Sequence, residues 1–183
     1  MPRSSLRLAA LLLLGAFRLA AQEVDSVTVP TDANRRHAIA RRATGPIVLD
    51  GRLDDAAWAA AAPIGDFVRV RPDFIRSTDF PSVVQVLFDD EHLYIGAFHR
   101  DTAGPRGLRM PDLRRDFTPP ESDVFGITIG SLGDHRTVYQ IQVTPLGSQG
   151  DVQAFDGGAT FSFSWDAMWR VRTTQSEDRK SVV

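Results

Sequence analysis

The sequence predicts an all-β domain, an antiparallel β-sandwich or jelly roll with immunoglobulin-like layering. Short segments rich in β-branched and aromatic residues alternate with turn-forming residues, and two pairs of these segments have the spacing of β-hairpins. Beyond the N-terminal region, no stretch has the length and periodicity of a long helix. Many short strands without long helices are typical of sandwiches and jelly rolls.

Length, composition and charge agree with one globular domain and a short extension. The 183 residues are 43% hydrophobic and 24% charged, which argues against a disordered chain, a coiled coil and a collagen-like repeat. Basic residues number 21 against 23 acidic ones, without a basic block, so we expect no nucleic-acid partner. The absence of cysteine excludes disulfides, thiolate metal sites and cysteine nucleophiles.

Residues 1–21 are predicted to be a secretory signal peptide. Arg3 and Arg7 precede the apolar run Leu8–Phe17, and small residues up to Ala21 precede a polar segment. A buried core helix or a membrane span is the alternative, but the run is shorter than the ~20 apolar residues that cross a bilayer. We therefore expect export to the periplasm, the outer membrane or the extracellular space, and no membrane span in this chain.

Two further segments are predicted to flank the domain. Residues 22–44 are polar and aperiodic, as in a linker, with a basic membrane-surface segment as the weaker alternative. Residues 178–183 match the translation of a common sequencing-adapter oligonucleotide and contain the only lysine, Lys180. A natural polar tail is the alternative. The adapter interpretation leaves a domain at residues 45–177 that lacks its last strands and has lost a C-terminal domain of the same chain.

The first predicted elements of the domain are short. Ile47–Leu49 is predicted to be a strand that ends at an Asp-Gly turn. Asp54 is predicted to cap a short helix that carries Trp58 on its apolar side and ends before a proline. Phe67–Arg71 alternates in polarity and is predicted to be a strand.

The middle of the chain predicts two hairpins. Val83–Phe88 pairs with Leu93–Phe98 across four polar residues, and Asp123–Ile129 pairs with Thr137–Thr144 across a longer turn. A glycine-rich loop and a strand at Trp165–Thr173 follow. In the second hairpin apolar side chains alternate, so one face is buried and the other is wet or faces a ligand. The apolar face consists of Phe125, Ile127, Ile129, Tyr139, Ile141 and Val143.

Several short motifs carry a resemblance to a known family. In chain order they are Ile47–Trp58, Phe88–Ala97 followed by Asp101, Arg115-Asp116, Asp123–Phe125, Gln142–Gly147 with Asp151, and Trp165-Asp166 with Trp169. This ordered set, over roughly residues 45–175, resembles the family 9 carbohydrate-binding modules. The family pattern normally continues into a Gly-Trp-containing strand that this chain lacks.

The resemblance implies a β-sandwich that binds a polysaccharide or oligosaccharide beside a polysaccharide-degrading enzyme, such as a glycoside hydrolase encoded in the same protein. A closely similar arrangement precedes a predicted membrane barrel in large exported bacterial proteins. A structural or interaction domain without a sugar ligand is therefore the alternative. Fold alone does not decide between these functions.

Sugar recognition needs flat aromatic faces to stack on the ring and polar groups to bind hydroxyls. The candidate ligand-binding residues are Trp165, Trp169, Arg115, Asp123 and Asp151. Trp58 is expected in the core, and so is at least one of the other two tryptophans. Arg115 paired with a neighbouring aspartate is expected to be structural or to form part of a ligand rim.

Acidic residues near the predicted turns raise the question of calcium, which several loops together could bind through oxygen ligands. The metal candidates are Asp89, Asp116 and Asp156, which would bind calcium. No contiguous calcium loop is present, and solvated turn acids are the alternative.

The sequence supports no catalytic assignment. The histidines lack a Gly-x-Ser-x-Gly companion motif, and His92 and His99 differ in strand parity, so they cannot form a metal pair on one face. A haem-binding sandwich, with Met110 or Met168 as axial ligand, is a less favoured alternative. We expect Met168 to point away from the tryptophans.

Overall fold

Two β-sheets packed face to face form the structure, a computed structural model that describes residues 37–68, 80–100, 107–109, 113–117, 121–134, 136–176 and 179–183. Every strand pairing is antiparallel except that of the two-residue β1. Within the described ranges the one helix is a 3₁₀ helix, Ala56–Ala60. The predicted all-β sandwich is confirmed.

The described residues form nine strands, numbered in chain order. They are β1 Arg41–Arg42, β2 Ser82–Phe88, β3 Leu93–Arg100, β4 Phe125–Ile129, β5 Val138–Val143, β6 Gln149–Phe155, β7 Thr160–Ser162, β8 Thr173–Ser176 and β9 Arg179–Val182. One sheet has the order β1-β2-β3-β9-β8, and the other has the order β4-β5-β6-β7. The four-stranded sheet is a simple meander. The five-stranded sheet contains strands from both the beginning and the end of the described chain.

Both predicted hairpins are present. In the first, Phe88 lies opposite Leu93 across the predicted turn. In the second, Phe125 lies opposite Val143 and Ile129 lies opposite Tyr139, so the predicted apolar face is continuous across both strands. Pairing this local follows directly from alternating polarity and a polar turn.

Two apolar clusters cover opposite faces of the five-stranded sheet. The between-sheet core contains Ala97, Val143, Val171 and Val182, with Val84, Phe125 and Trp169 packed against it. The outer core contains Ala57, Trp58, Ala61, Leu87 and Val183. The faces differ because side chains alternate along β2, where Val84 points to one core and Leu87 to the other.

The 3₁₀ helix closes the outer core, and Trp58 is its anchor. Trp58 is 2% exposed, as predicted for a core residue. A Cβ on Gly96 of β3 would lie 2.6 Å from Leu53 Cδ2 and 2.9 Å from the Trp58 ring, so only glycine lets these side chains approach the strand. The Gln85 amide donates to the backbone oxygens of Trp58 and Ala61 at 3.1 and 2.9 Å, which satisfies the end of the helix.

Three local predictions were wrong. The helix is preceded by Asp55 rather than Asp54, with no side-chain cap, because the Asp55 carboxylate accepts from the backbone of Val48 and Asp54 binds Arg52. Ile47–Leu49 is extended but forms no ladder, since its apolar side chains pack on the outer core instead. Phe67 and Val68 lie outside any strand, and the rest of that predicted strand falls outside the described residues.

The predicted glycine-rich loop was also wrong, because β6 and β7 lie within it and its positive-φ glycines, Gly147, Gly157 and Gly158, occupy turns around β6. The predicted strand Trp165–Thr173 needs a similar correction. Residues 165–172 are extended without belonging to a named strand, and β8 begins only at Thr173. The segment crosses the face of the four-stranded sheet, where its contacts are made by side chains and by individual backbone groups.

Two strands, β8 and β9, follow the segment 165–172, and the predicted loss of further strands stays a prediction. β8 and β9 form a hairpin, and β9 lies between β3 and β8, with Val182 and Val183 both 6% exposed. Residues 179–183 are thus packed into the domain, because a polar segment ending in two valines can pair its backbone and bury its apolar end. At the other boundary, β1 brings two residues of the predicted linker into the same sheet. The adapter origin of residues 178–183 stays a prediction.

Across the described part of the chain, no helix has both the length and the hydropathy needed to cross a membrane.

Candidate functional site

Three of the five predicted ligand-binding residues meet at one buried carboxylate. Asp151 lies on β6, and its side chain is 1% exposed. Its Oδ2 atom accepts hydrogen bonds from Arg115 Nη2 at 2.9 Å, Trp169 Nε1 at 3.1 Å and the Ala167 backbone N–H at 2.9 Å. We call Asp151, Arg115, Ala167 and Trp169 the Asp151 cluster.

The register of the meander explains why Asp151 faces the other sheet. Asp151 lies opposite Ile141 on β5, two residues from Val143 and therefore on the face that carries the between-sheet core. The extended segment 165–172 lies over this face, and the Gln149 amide holds it by donating to the Trp169 carbonyl at 3.3 Å. The Asp151 carboxylate thus fixes the segment 165–172, which forms no regular strand pairing.

Side chains alternate along that segment. Trp165, Ala167 and Trp169 are half-buried and Val171 is buried, whereas the residues between them are exposed. Trp165 and Trp169 therefore lie on the same side of the segment. Met168 is 104% exposed and points away from them, as predicted.

Arg115 joins the buried cluster to the surface. Its guanidinium contacts both Asp151 and Asp166, and the Asp166 side chain is 74% exposed. Asp116 lies at 4.0 Å from Arg115 Nε. Charge-assisted bonds to the guanidinium hold both carboxylates in place. Protein donors thus occupy Asp151 Oδ2, and the carboxylate holds Arg115 and Trp169 in place.

Trp165 directly precedes Asp166 in the chain, and its ring packs on Tyr139 of β5. The ring centroids are 4.7 Å apart at an interplanar angle of 38°, and the Tyr139 hydroxyl accepts from the Gln153 amide at 3.4 Å. Trp165 keeps part of its ring accessible. We call Trp165, Tyr139, Arg115 and Asp166 the Trp165 surface.

Asp123, the fifth predicted residue, lies elsewhere. It lines a cavity of about 310 Å³ that opens between the two sheets. Its Oδ2 atom accepts from the Arg109 backbone N–H at 3.3 Å and lies 3.6 Å from Lys180 Nζ. Asp123 is therefore not part of the Asp151 cluster.

His99 lines the same cavity and was not among the predicted site residues. Its Nδ1 lies 2.8 Å from Ser82 Oγ, and its ring packs on Phe125 at 5.2 Å. Burial lowers the pKa of His99, and the charge of Lys180 acts in the same direction, so the ring is neutral at neutral pH. Its Nε2 atom is buried without a hydrogen-bond partner in the described structure.

The three calcium candidates lie in separate turns. Asp89 accepts from the Glu91 and His92 backbones and from the Tyr94 hydroxyl, at 2.8, 2.7 and 2.7 Å. Asp116 and Asp156 both adopt positive φ, at 59° and 53°. Asp156 also pairs with an arginine of the preceding turn.

No group of three metal-ligating side chains occurs among the residues that the structure describes. The Tyr94 hydroxyl, followed by the backbone bonds, lowers the pKa of Asp89 to about 2. Asp89 thus closes its turn as a carboxylate.

For the haem alternative, the structure describes one of the two predicted ligands. Met168 is fully exposed on the segment that covers the meander, and Met110 lies outside the described residues.

No family model, curated protein or solved structure matches this chain.

Proposed function

We propose that the domain is a non-catalytic saccharide-binding module of an exported protein, and that it recognises carbohydrate at the Trp165 surface. The observation that carries the proposal is the aromatic pair Trp165–Tyr139, whose tryptophan is on the same short segment as Asp166, which pairs with Arg115. The motif resemblance described above supports the same function. Export and the downstream partner domain belong to this proposal as well.

The chemistry of the surface suits a sugar ring. A half-buried indole offers a face to the C–H side of a pyranose, and the Tyr139 beneath it limits how the indole can tilt. Asp166 accepts from sugar hydroxyls and Arg115 donates to them. Because Asp151 already holds Arg115, the guanidinium loses little freedom when a ligand binds.

The test is a titration of the purified domain with soluble plant and bacterial polysaccharides, followed by calorimetry. We expect weak binding that Trp165→Ala reduces at least ~10-fold, which corresponds to ~1.4 kcal/mol. Asp166→Asn should give a smaller loss. Phe163→Ala is the matched control, since this 75% exposed aromatic belongs to the same part of the chain but not to the Trp165 surface.

Circular dichroism of Trp165→Ala must show a folded domain for the comparison to count. Folded protein that binds none of the polysaccharides, or that binds them equally well without Trp165, contradicts the proposal.

One observation favours the structural or interaction alternative. Phe161 and Phe163 are 52% and 75% exposed, and their rings stack at 6.1 Å with an interplanar angle of 24°. Exposed aromatic pairs of this kind often mark a contact surface. On this alternative, Phe163→Ser weakens association with the downstream part of the parent protein while Trp165→Ala does not.

A further inference from the structure

We propose that the domain forms a two-fold symmetric dimer in which β4 of one copy pairs with β4 of a second copy. The surface involved is the free edge of the meander, Phe125–Ile129, which pairs with β5 on one side and with no described strand on the other. The inference does not rest on the proposed function, because no residue of the Trp165 surface lies on β4.

Among the four sheet edges of the described structure, β4 is the least protected. In an antiparallel pair, alternate residues of a strand direct their N–H and C=O groups toward the partner and away from it. At least two residues of β4 therefore direct these groups away from β5, and no backbone bond from another described residue reaches them. Natural edge strands are commonly very short or carry a charge or a proline. β4 has five residues, and none of them is charged or proline.

The other three edges have such protection. β1 is two residues long, and both are arginines. β7 is three residues long. On β8 the Thr174 hydroxyl donates to the Gly51 carbonyl at 2.9 Å, and a Cβ on Gly51 would lie 2.8 Å from the Thr173 backbone, so a loop already lies against that strand.

The inner side of β4 is also incompletely covered. Phe125 packs against the between-sheet core, whereas Ile127 and Ile129 are only half-buried and belong to neither of the two described cores. Both isoleucines share a face with Phe125, since side chains alternate along a strand. A strand added at this edge would remove part of both isoleucines from water, so backbone pairing and apolar burial would act together.

The sequence of β4 favours a second copy of the same strand as the occupant. Antiparallel pairing about a two-fold axis at Ile127 places Phe125 opposite the partner's Ile129 and Gly126 opposite the partner's Thr128. Apolar side chains thus meet on the inner face. On the outer face, the glycine leaves room beside the threonine.

The lack of charge on β4 also fits symmetric pairing. A two-fold axis brings identical segments together, so a charge on the edge would face its own copy and repel it. Residues 124–133 contain no charged side chain. Symmetric pairing of β1 would instead bring four arginines together. Through β4, the two meanders become one continuous sheet of eight strands.

The paired stretch is limited to the five residues of β4. Before it, the Asp123 backbone N–H donates to the Arg109 carbonyl at 2.7 Å, so another segment already occupies the edge there. After it, the chain turns toward β5. A contact this short buries less than the ~1,200–2,000 Å² of a standard interface, and we therefore expect a weak, concentration-dependent dimer.

The test uses the full chain and measures its mass by sedimentation velocity over a range of concentrations. We expect a monomer at low concentration and a dimer at high concentration. Thr128→Lys puts an ammonium group at an exposed position of β4 in each copy and should weaken dimerisation at least ~10-fold. Thr160→Lys is the matched control, since it makes the same substitution at the exposed end of β7, on the opposite edge of the meander.

A second measurement determines the register, because the chain has no cysteine of its own. In the proposed dimer the two copies of residue 127 lie directly opposite each other, with Cα atoms ~4.5–5.5 Å apart, which is within the range of a disulfide. The two copies of residue 129 are offset by ~14 Å along the strands, at ~3.4 Å per residue. Under mild oxidation, Ile127→Cys should therefore form a cross-linked dimer much faster than Ile129→Cys.

Circular dichroism checks that each variant is folded, and Gly126→Lys, also at an exposed position, replaces Thr128→Lys should that variant not fold. A chain that stays monomeric at every concentration overturns the proposal and leaves the edge to a strand of a different protein. A dimer that Thr160→Lys disrupts and Thr128→Lys does not would place the interface at β7, which overturns it as well. Equal cross-linking rates of Ile127→Cys and Ile129→Cys would contradict the two-fold register.

Discussion

The two sheets of this domain are built and held together differently. The four-stranded sheet is a meander in which each strand pairs with the next one along the chain. The five-stranded sheet places β9 between β3 and β8, and so joins residues far apart in sequence. Two apolar cores hold the five-stranded sheet, whereas the buried Asp151 cluster fixes the irregular segment that covers the meander.

This difference separates two kinds of sequence information. Local strand pairing follows from alternating polarity and from turn-forming residues, and both can be read in a short stretch of sequence. Long-range pairing depends on apolar residues that become neighbours only in the folded chain. A buried polar residue such as Asp151 is a third case. Its contribution to stability depends on how many donors reach its carboxylate in the folded chain, and its place in the sequence does not show that number.

The largest expected effect is at β9. Val182→Asp puts a charge into the between-sheet core and should destabilise the domain by more than ~4 kcal/mol, a large part of the ~5–15 kcal/mol of a typical domain. Thermal melts followed by circular dichroism, with size-exclusion chromatography, measure this. Met168→Asp is the matched control, because it introduces the same charge at a fully exposed position.

If Val182→Asp melts like the unmodified protein, β9 contributes nothing to the sheet. The five-stranded sheet would then not need residues 179–183, as expected for a segment outside the domain.

The next effect tests the polar anchor of the meander. Asp151→Ala leaves the Trp169 indole and the Ala167 backbone N–H without their acceptor, and each buried donor left unsatisfied costs ~1–3 kcal/mol, while Arg115 keeps its contact with Asp166. Urea unfolding measures the change. Asp166→Asn is the control on the same arginine, and its exposed pair should be worth only ~0–1 kcal/mol.

Equal losses from Asp151→Ala and Asp166→Asn would mean that burial of the carboxylate is irrelevant. The segment over the meander would then be held by something other than its buried polar cluster, and the two sheets would not differ in this way.

A smaller effect is expected where the 3₁₀ helix meets β3. Gly96→Ala places a methyl group against Leu53 and the Trp58 ring and should cost ~1–3 kcal/mol through overpacking. Gly126→Ala on β4 is the matched control, since its nearest contact would be an ordinary 3.8 Å. Urea midpoints of both variants decide the matter, and a neutral Gly96→Ala would show that the outer core is loosely packed.

The smallest effect concerns the turn between β2 and β3. The pKa of Asp89 is about 2 in the folded protein, below the ordinary value of ~3.9. The carboxylate therefore stabilises the fold above pH ~4, and this contribution is lost as the pH falls through about 2.

The stability difference between the unmodified protein and Asp89→Asn should thus be present at pH 7 and absent at pH 2, as measured by urea unfolding. Asp90→Asn serves as the control because this neighbouring side chain is 85% exposed. A difference that does not change with pH would show that the Asp89 carboxylate is not the stabilising group.

The sequence predicted the two central hairpins because every contact that defines them lies within about twenty residues. It did not predict β1 or the place of β9, since neither segment has an alternating pattern of its own, and it predicted β6 and β7 as one loop because of the glycines there. β9 is a strand because β3 offers it an unpaired edge and because Val182 finds Ala97 and Val143 there.

The candidate site was predicted only in part, because its residues too become neighbours only in the folded chain. Arg115, Asp151 and Trp169 were predicted together as ligand-binding residues; the structure brings them into one cluster, in which Asp151 is buried and Arg115 reaches the surface. That distinction depends on the segment folding back over β6, which no local pattern encodes. His99 could have been found by comparing its parity with Ala97, which places both side chains on the inner face of β3.

The position of β9 also sets an order of events during synthesis. β3 leaves the ribosome about 80 residues ahead of the strand with which it pairs, and the meander lies entirely between them. The meander can thus fold first as a local unit, while the open side of β3 is exposed to other nascent chains for several seconds at ~5–20 residues per second. We therefore expect a chaperone that binds unpaired strand edges to associate with this protein early in translation and to leave once residues 179–182 have emerged.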